Sequence, residues 1–220
     1  MGNSYPPAMR AGCCALAIAL LAGCGPADAP AAEAVSSQDA FFEALSTHCG
    51  KAYAGELVSD DEADADFRDA GMIMHVRECS EDEIKVPFHV QLDGEWDRSR
   101  TWVITRTQDG LRLKHDHRHD DGTEDAVTMY GGDTADEGTD RAQDFPVDAE
   151  SIALFEREGL SASVTNVWRV EIDPAGEEAG QFVYQLRRSV ESGAPEDRLF
   201  RVEFDLGEEV TPPPAPWGHG

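Results

Sequence analysis

The sequence predicts a mainly β domain, built either as a single antiparallel β-barrel or as a two-sheet β-sandwich, with two short helices. From residue 51 onward, short runs of alternating apolar and polar residues recur between polar segments rich in turn residues. Only two stretches have helical spacing. The last three runs, at residues 164–173, 182–187 and 200–206, are typical of antiparallel strands with one face in water.

Both predicted helices begin at a capping residue. Ser36, with Asp39 three residues later, caps a helix in which Phe41 and Leu45 share one face. Asp148 caps a second helix, which ends at Gly159. The other predicted strands cover residues 53–59, 72–77, 84–92, 101–107, 111–120 and 126–130, and residues 131–140 are predicted to be a polar loop.

A closed barrel is favoured over the sandwich because closure removes exposed strand edges. The expected shape is lipocalin-like, but the Gly-x-Trp opening of lipocalins is replaced by Gly50-Lys51-Ala52-Tyr53. The likeness is therefore one of shape alone. The domain is also similar to uncharacterised secreted proteins of Gram-negative bacteria, and this similarity implies no particular function.

The N-terminus has the features of an export signal. Arg10 is the only charge in the first 23 residues, and the apolar run that follows, about 11 residues long, is too short to span a bilayer. The run ends in Leu21-Ala22-Gly23-Cys24, which resembles the lipobox of bacterial lipoproteins. This resemblance implies cleavage after Gly23, diacylation of Cys24 with palmitate-type chains, and attachment to a membrane through that lipid. The alternative is an ordinary cleaved signal with an incidental cysteine.

The lipoprotein interpretation divides the chain into four parts. These are a signal peptide over residues 1–23, a flexible tether over 24–37, a β-rich globular domain over 38–210 and a Pro-rich tail over 211–220. The small, Pro/Ala-rich composition predicts the tether, and the prolines of the tail exclude it from a sheet. Residue 25 is Gly rather than Asp, so the resemblance implies the periplasmic face of the outer membrane.

Charge and cysteine content narrow the partners and the compartment. A formal net charge of −26 excludes nucleic acid and argues against a basic membrane-binding patch. Membrane attachment is therefore expected through the lipid on Cys24. Export would leave Cys49 and Cys79 in an oxidising compartment, where they are predicted to form a disulfide; the alternative is two buried free thiols.

The segment Leu111–Asp120 holds the leading candidates for site chemistry. On a strand, one face would carry two leucines followed by three histidines: Leu111, Leu113, His115, His117 and His119. Neutral imidazole is a common ligand of Zn²⁺ and Cu²⁺, and two of the three rings could bind one ion, whereas all three span roughly 13 Å. The three histidines are therefore candidate metal ligands. The alternatives are solvated histidines paired with acids, or an acid-sensing patch.

Two other groups of ligand-type residues are weaker candidates. Met72, Met74 and His75 could suit Cu(I), but the two methionines alternate as core residues do. The acidic runs at residues 60–66 and 133–140 lack the spacing of a calcium-binding loop, so solvated loops are expected there.

The sequence favours a non-enzymatic role. It contains none of the motifs Gly-x-Ser-x-Gly, His-Glu-x-x-His, Gly-x-Gly-x-x-Gly or the P-loop, although catalytic residues need not form local motifs. The leading hypothesis is a lipid-anchored periplasmic module that binds a small hydrophobic ligand or interacts with the cell envelope, with its protein partner and oligomeric state left open. Aromatic residues on apolar strand faces would line a ligand cavity or fill a packed core: Trp102, Trp168, Tyr184, Phe200 and Phe204.

The alternative hypothesis is a metal-binding function. In this interpretation the protein binds Zn or Cu, or is a metal-dependent hydrolase, through His115, His117 and His119. A straight strand brings only two of these rings to one ion, so a further ligand would have to come from elsewhere in the chain.

Overall fold

A computed structural model describes residues 1–4 and 35–220. The predicted lipobox, most of the predicted signal peptide and most of the predicted tether lie outside the described residues. Among the residues that are described, no helix is long and apolar enough to cross a membrane.

Residues 35–220 form eleven strands and two α-helices. The helices are α1 (Ser37–Ser46) and α2 (Ala149–Arg157), and short 3₁₀ segments cover Glu62–Phe67, Ser161–Thr165 and Val190–Ser192. The strands are β1 (Ala52–Leu57), β2 (Met72–His75), β3 (Glu78–Cys79), β4 (Glu83–Leu92), β5 (Glu95–Thr107), β6 (Gly110–His117), β7 (Tyr130–Asp133), β8 (Ala142–Pro146), β9 (Val167–Ile172), β10 (Gln181–Arg188) and β11 (Arg198–Glu209).

Ten of these strands follow one another around a barrel. Their order is β7-β6-β5-β4-β2-β1-β11-β10-β9-β8, and the short β3 pairs with β4 outside this path. The two terminal strands then meet, because Gly132 forms a β-bridge with Val147 and the Asp148 amide donates a hydrogen bond to the Gly131 carbonyl at 3.0 Å. The predicted antiparallel barrel is confirmed and is nearly closed, whereas the alternative sandwich is not formed.

Closure of the barrel depends on two adjacent glycines in β7. A Cβ atom on Gly131 would overlap the carbonyl oxygen of Leu113 in β6, and one on Gly132 would overlap the carbonyl oxygen of Pro146 in β8. Glycine is therefore needed where this strand approaches the backbone on both sides.

Helix α1 closes one end of the barrel. It begins as predicted after Ser36, whose hydroxyl oxygen accepts a hydrogen bond from the Asp39 amide at 3.0 Å. Three of its apolar side chains are almost completely buried in the core: Phe41, Phe42 and Leu45. This buried face, rather than intrinsic helix propensity, is what stabilises so short a helix.

Two links join the chain after α1 to the barrel. The His48 ring accepts a hydrogen bond from the Tyr53 hydroxyl at 2.8 Å and donates one to the Asp173 carbonyl at 2.7 Å. The predicted disulfide between Cys49 and Cys79 is formed, with a sequence separation of 30 residues. On the chain-entropy model, a loop of this size contributes roughly 3–4 kcal/mol to the free energy of unfolding.

The strand predictions were wrong around the closure of the barrel. Residues 126–130 are not a strand; β7 begins only at Tyr130 and runs into the predicted polar loop. Strand β8 was not predicted at all. Two glycines in β7 and a proline at the end of β8 interrupt the apolar–polar alternation by which a strand is recognised in a sequence. These strands form because their backbones pair with neighbouring strands that are distant in sequence.

The lengths of β5 and β6 also differ from the predicted ranges. β5 begins at Glu95 rather than at residue 101, and β6 ends at His117 rather than at residue 120. His119 therefore lies beyond the strand on which it was placed. The cause is that charged and histidine-rich segments carry no apolar period from which a strand end can be located.

Residues 211–220 cross the outside of the barrel, and we call them the C-terminal strap. They form no strand, as their prolines predicted. The Val210 amide, just before the strap, donates to the Ala52 carbonyl at 2.9 Å. Further along, the Trp217 amide donates to the Arg98 carbonyl at 3.1 Å, and the Arg98 guanidinium lies 5.9 Å from the Trp217 ring centre.

His89, on β4, is buried without a hydrogen-bond partner. Its side chain is 1% exposed, and neither ring nitrogen has a partner among the described residues. Burial lowers the pKa of His89 to about 4, and the nearby positive charges of His75, Arg98 and Arg77 lower it further than Asp97 raises it.

We expect the free energy of unfolding to fall as the pH is lowered from 6.5 to 4. In the unfolded chain His89 binds a proton below its ordinary pKa of 6.5, whereas in the folded protein it does so only near 4. Proton uptake therefore favours the unfolded chain in this window, by up to about 3 kcal/mol at its lower end.

Urea unfolding of the wild type and of His89→Leu, at pH 7 and at pH 4, measures this effect. The variant should gain about 3 kcal/mol relative to the wild type between the two pH values. An unchanged difference between the two proteins would contradict the assignment of this acid sensitivity to His89.

Candidate functional site at the open end of the barrel

The end of the barrel opposite α1 opens into a cavity, which we call the mouth. At the α1 end of β5, the Arg106 guanidinium lies 4.2 Å from the ring centre of Phe42. Arg100 and His117 pair at the other end of the β5–β6 ladder, and both line the mouth. The cavity has a volume of about 110 Å³ and six aromatic side chains in its walls: Phe67, Phe88, Trp102, Tyr130, Tyr184 and Phe200.

Stacked rings form one wall of the mouth. The Trp102 ring lies between Tyr184 and Phe88, with centre-to-centre distances of 4.2 Å and 4.9 Å and an angle of 13° between the planes in both pairs. These are the distances of stacked aromatic pairs, so both faces of Trp102 are covered by neighbouring rings and the wall is apolar.

A second aromatic contact covers part of the opening. Phe67, the last residue of the first 3₁₀ segment, packs edge-on against Phe200 at 5.5 Å. The segment is held by the buried Asp64, which accepts a hydrogen bond from the Arg198 guanidinium at 2.7 Å. The Arg100 guanidinium lies 5.7 Å from the Phe67 ring centre, a cation–π distance.

His115 is held inside the wall by both of its ring nitrogens. Nδ1 lies 3.0 Å from the Tyr130 carbonyl, which can only accept, so Nδ1 carries the proton and donates. Nε2 therefore accepts, and the Tyr184 hydroxyl donates to it at 2.7 Å. Burial lowers the pKa of His115 to about 4, which keeps the ring neutral near pH 7.

The other two predicted histidines have different surroundings. His117 is partly buried in the mouth, with Nε2 3.2 Å from the Ser99 hydroxyl, and burial followed by the charge of Arg100 lowers its pKa. His119 is largely exposed, with Nε2 3.8 Å from an Asp125 carboxylate oxygen. The structure thus places the three rings in a buried hydrogen-bond chain, at the mouth and at the surface, respectively.

The metal hypothesis has no ligand set in the described part of the chain. Within residues 1–4 and 35–220, no three His, Cys, Asp or Glu side chains are grouped so that they could hold a metal ion. Binding an ion at His115 would break one of its two hydrogen bonds. Met72 and Met74 are buried core residues. Binding of Zn or Cu by the three histidines stays a prediction.

Arg100 is the charged residue of the mouth that the sequence did not single out. A register shift in the β4–β5 pairing between Phe88 and Val90 accompanies its placement beside Trp102. Its Nη1 donates to Asp97 at 2.5 Å. Burial acts to raise the pKa of Asp97, but the charge of Arg100 and hydrogen bonds from Ser99 and Arg100 outweigh it and lower that pKa. No motif marks such a residue, since its role depends on a bulge between strands.

Tyr130 presents a phenol to the same cavity. Its backbone carbonyl binds His115, while its ring stacks on the His115 ring at 4.7 Å. Burial raises the pKa of the Tyr130 hydroxyl, while the charge of Arg100 lowers it and the charge of Asp125 raises it. The residue before the two closing glycines therefore supplies a hydroxyl near Arg100.

Comparison with known proteins found no matching family model, no matching curated protein and no matching solved structure. The structure alone therefore gives the class of the protein. It is a nearly closed antiparallel β-barrel with an aromatic mouth.

We expect His115→Phe to lower the free energy of unfolding by about 2–4 kcal/mol. The substitution leaves the Tyr184 hydroxyl and the Tyr130 carbonyl without their partner in a buried wall. The exposed His119 provides the matched control, and His119→Ala should change stability by less than about 0.5 kcal/mol.

Urea unfolding with and without a metal chelator measures these effects. If His115 is held by hydrogen bonds and not by a metal, the chelator should leave the urea midpoint of every protein unchanged. A chelator that destabilises the wild type but not His115→Phe would contradict it and support a metal at this position.

Proposed function

We propose that the protein is a lipid-anchored periplasmic binding protein that holds a small flat ligand at the mouth of its barrel. The observation that carries this proposal is the cavity beside Trp102, with aromatic walls and a few polar groups at its edge. Apolar walls with few polar groups are typical of small-molecule sites. The proposed role is binding rather than catalysis.

The size of the cavity limits the ligand. A volume of about 110 Å³ corresponds to about four water-sized groups of ~30 Å³ each. Only the flat part of a ligand would fit beside Trp102 and Tyr184, while the remaining atoms would lie in the opening near Phe67. Ligand sites of drug-like size, at about 300–1,000 Å³, are several times larger.

The anchoring part of the proposal is supported by the sequence. The segment Leu21–Cys24 supplies the lipobox-like motif, and the acidic chain makes direct binding to anionic headgroups unfavourable.

We expect Cys24→Ala to abolish lipid labelling in a Gram-negative host and to release the protein from the membrane fraction. The lipid is attached to this thiol, so its loss removes the anchor. Incorporation of an alkyne-palmitate analogue measures labelling. Cys13→Ala and Cys14→Ala, within the predicted signal, are the matched controls and should be labelled as the wild type is. Labelling of Cys24→Ala would refute the lipobox assignment.

We expect crotonamide, a small flat neutral molecule, to bind in the mouth with a dissociation constant on the order of 1 mM. In an NMR titration the indole N–H signal of Trp102 should shift and saturate, because the ring forms the cavity wall. The indole of Trp217, in the C-terminal strap, is the internal control and should not move. Equal shifts at both indoles, or none at Trp102, would argue against a ligand site in the mouth.

A further inference from the structure

We infer that the mouth selects a small flat monocarboxylate, with its unsaturated or aromatic part against Trp102 and its carboxylate bound by Arg100 and Tyr130. This inference rests on the proposed function and adds to it the charge and shape of the ligand. Its basis is that the Arg100 guanidinium and the Tyr130 hydroxyl both line a small cavity with mainly aromatic walls, and that the Tyr130 hydroxyl has no hydrogen-bond partner among the described residues.

The Arg100 guanidinium has donors to spare. A guanidinium carries five N–H groups, and Asp97 accepts from Nη1 of Arg100. The side chain is 32% exposed, so its charge is partly withdrawn from water and still reachable from the mouth. A carboxylate that accepts from such a group forms a charge-assisted hydrogen bond, which is about twice as strong as a neutral one.

The two tyrosine hydroxyls of the mouth have different roles. The Tyr184 hydroxyl gives its proton to His115, so towards the cavity it can only accept. The Tyr130 hydroxyl lines the cavity and has no hydrogen-bond partner among the described residues, so it can donate to a ligand. A ligand oxygen is therefore repelled beside Tyr184 and attracted beside Tyr130, which directs a carboxylate towards Arg100.

The walls determine the shape of the rest of the ligand. Trp102 is stacked between Tyr184 and Phe88, so both of its faces are covered and a ligand meets the edges of these rings, where a thin planar group fits better than a branched one. The small cavity volume limits the buried part to a few atoms.

The charge of the whole protein limits the ligand to one negative charge. The formal net charge is −26, and the carboxylate of Asp116, which pairs with Arg118 and His219, lines the mouth. Asp97 and Asp125 also lie near the mouth residue His117. A dicarboxylate or a phosphate would place its second charge in this negative field, while the first is neutralised by Arg100. A monocarboxylate carries only the one charge that Arg100 neutralises, so it avoids this repulsion.

Crotonate and crotonamide test the inference, because they have the same shape and number of non-hydrogen atoms and differ in charge. Titrations at pH 7, followed at the indole N–H of Trp102, should show crotonate binding at least about 10-fold more tightly in the wild type. Arg100→Gln should weaken crotonate binding by about 10- to 100-fold and change crotonamide binding by less than about 3-fold.

Two further variants refine the test. Tyr130→Phe should weaken crotonate binding by about 3- to 10-fold, because it removes one neutral donor. Arg187→Gln is the matched control: Arg187 lies on the outside of the barrel, is 50% exposed and pairs with Asp144. It should leave both affinities unchanged.

The outcomes separate this inference from the proposed function. Equal binding of crotonate and crotonamide in the wild type overturns the carboxylate inference and leaves the proposed ligand site standing. Binding of neither molecule overturns both. The wild-type comparison requires no substitution, so it decides the question even if Arg100→Gln does not fold.

Discussion

The meeting of β7 and β8 at Gly131 and Gly132 is the constraint on which the rest of the structure depends. Because neither residue has a side chain, β7 fits between the backbones of β6 and β8 and nearly closes the barrel. The Gly131 amide donates to the Ser151 hydroxyl at 2.7 Å, which docks the first turn of α2 at the same place. Tyr130, immediately before the glycines, is thereby fixed against His115 in the wall of the mouth.

The two ends of the barrel satisfy their buried polar groups in similar ways. A neutral histidine joins a tyrosine hydroxyl to a backbone carbonyl at each end: His48 with Tyr53 and Asp173 beside α1, and His115 with Tyr184 and Tyr130 at the mouth. Each chain connects elements far apart in sequence while leaving no ring nitrogen unpaired. His89 has no such partners among the described residues, and like His115 it has a pKa of about 4, so both histidines are expected to contribute to the acid sensitivity of the fold.

The mouth and the closed end of the barrel differ in the hydrogen-bond donors that remain available to a ligand. Beside α1, the histidine and the tyrosine use each other, and the helix fills the remaining space with Phe41 and Phe42. At the mouth, Arg100 and Tyr130 retain donors that no described residue occupies completely. This excess of donors over partners among the described residues, beside an aromatic wall, is the observation on which the proposed binding site rests.

The sequence by itself determined the features that depend on local order. Alternation predicted most strands, Ser36 and Asp148 predicted where the helices begin, and the two cysteines that follow the predicted export signal and lipobox predicted the disulfide. Tertiary structure alone decided which groups share the mouth. Arg100, Tyr130 and Tyr184 lie on three different strands. The predicted face of three histidines is not formed, because His115 is hydrogen-bonded to residues of β7 and β10 and because β6 ends before His119. Contacts of this kind depend on strand register and barrel closure between segments that are distant in sequence. The local alternation of apolar and polar residues carries no information about them.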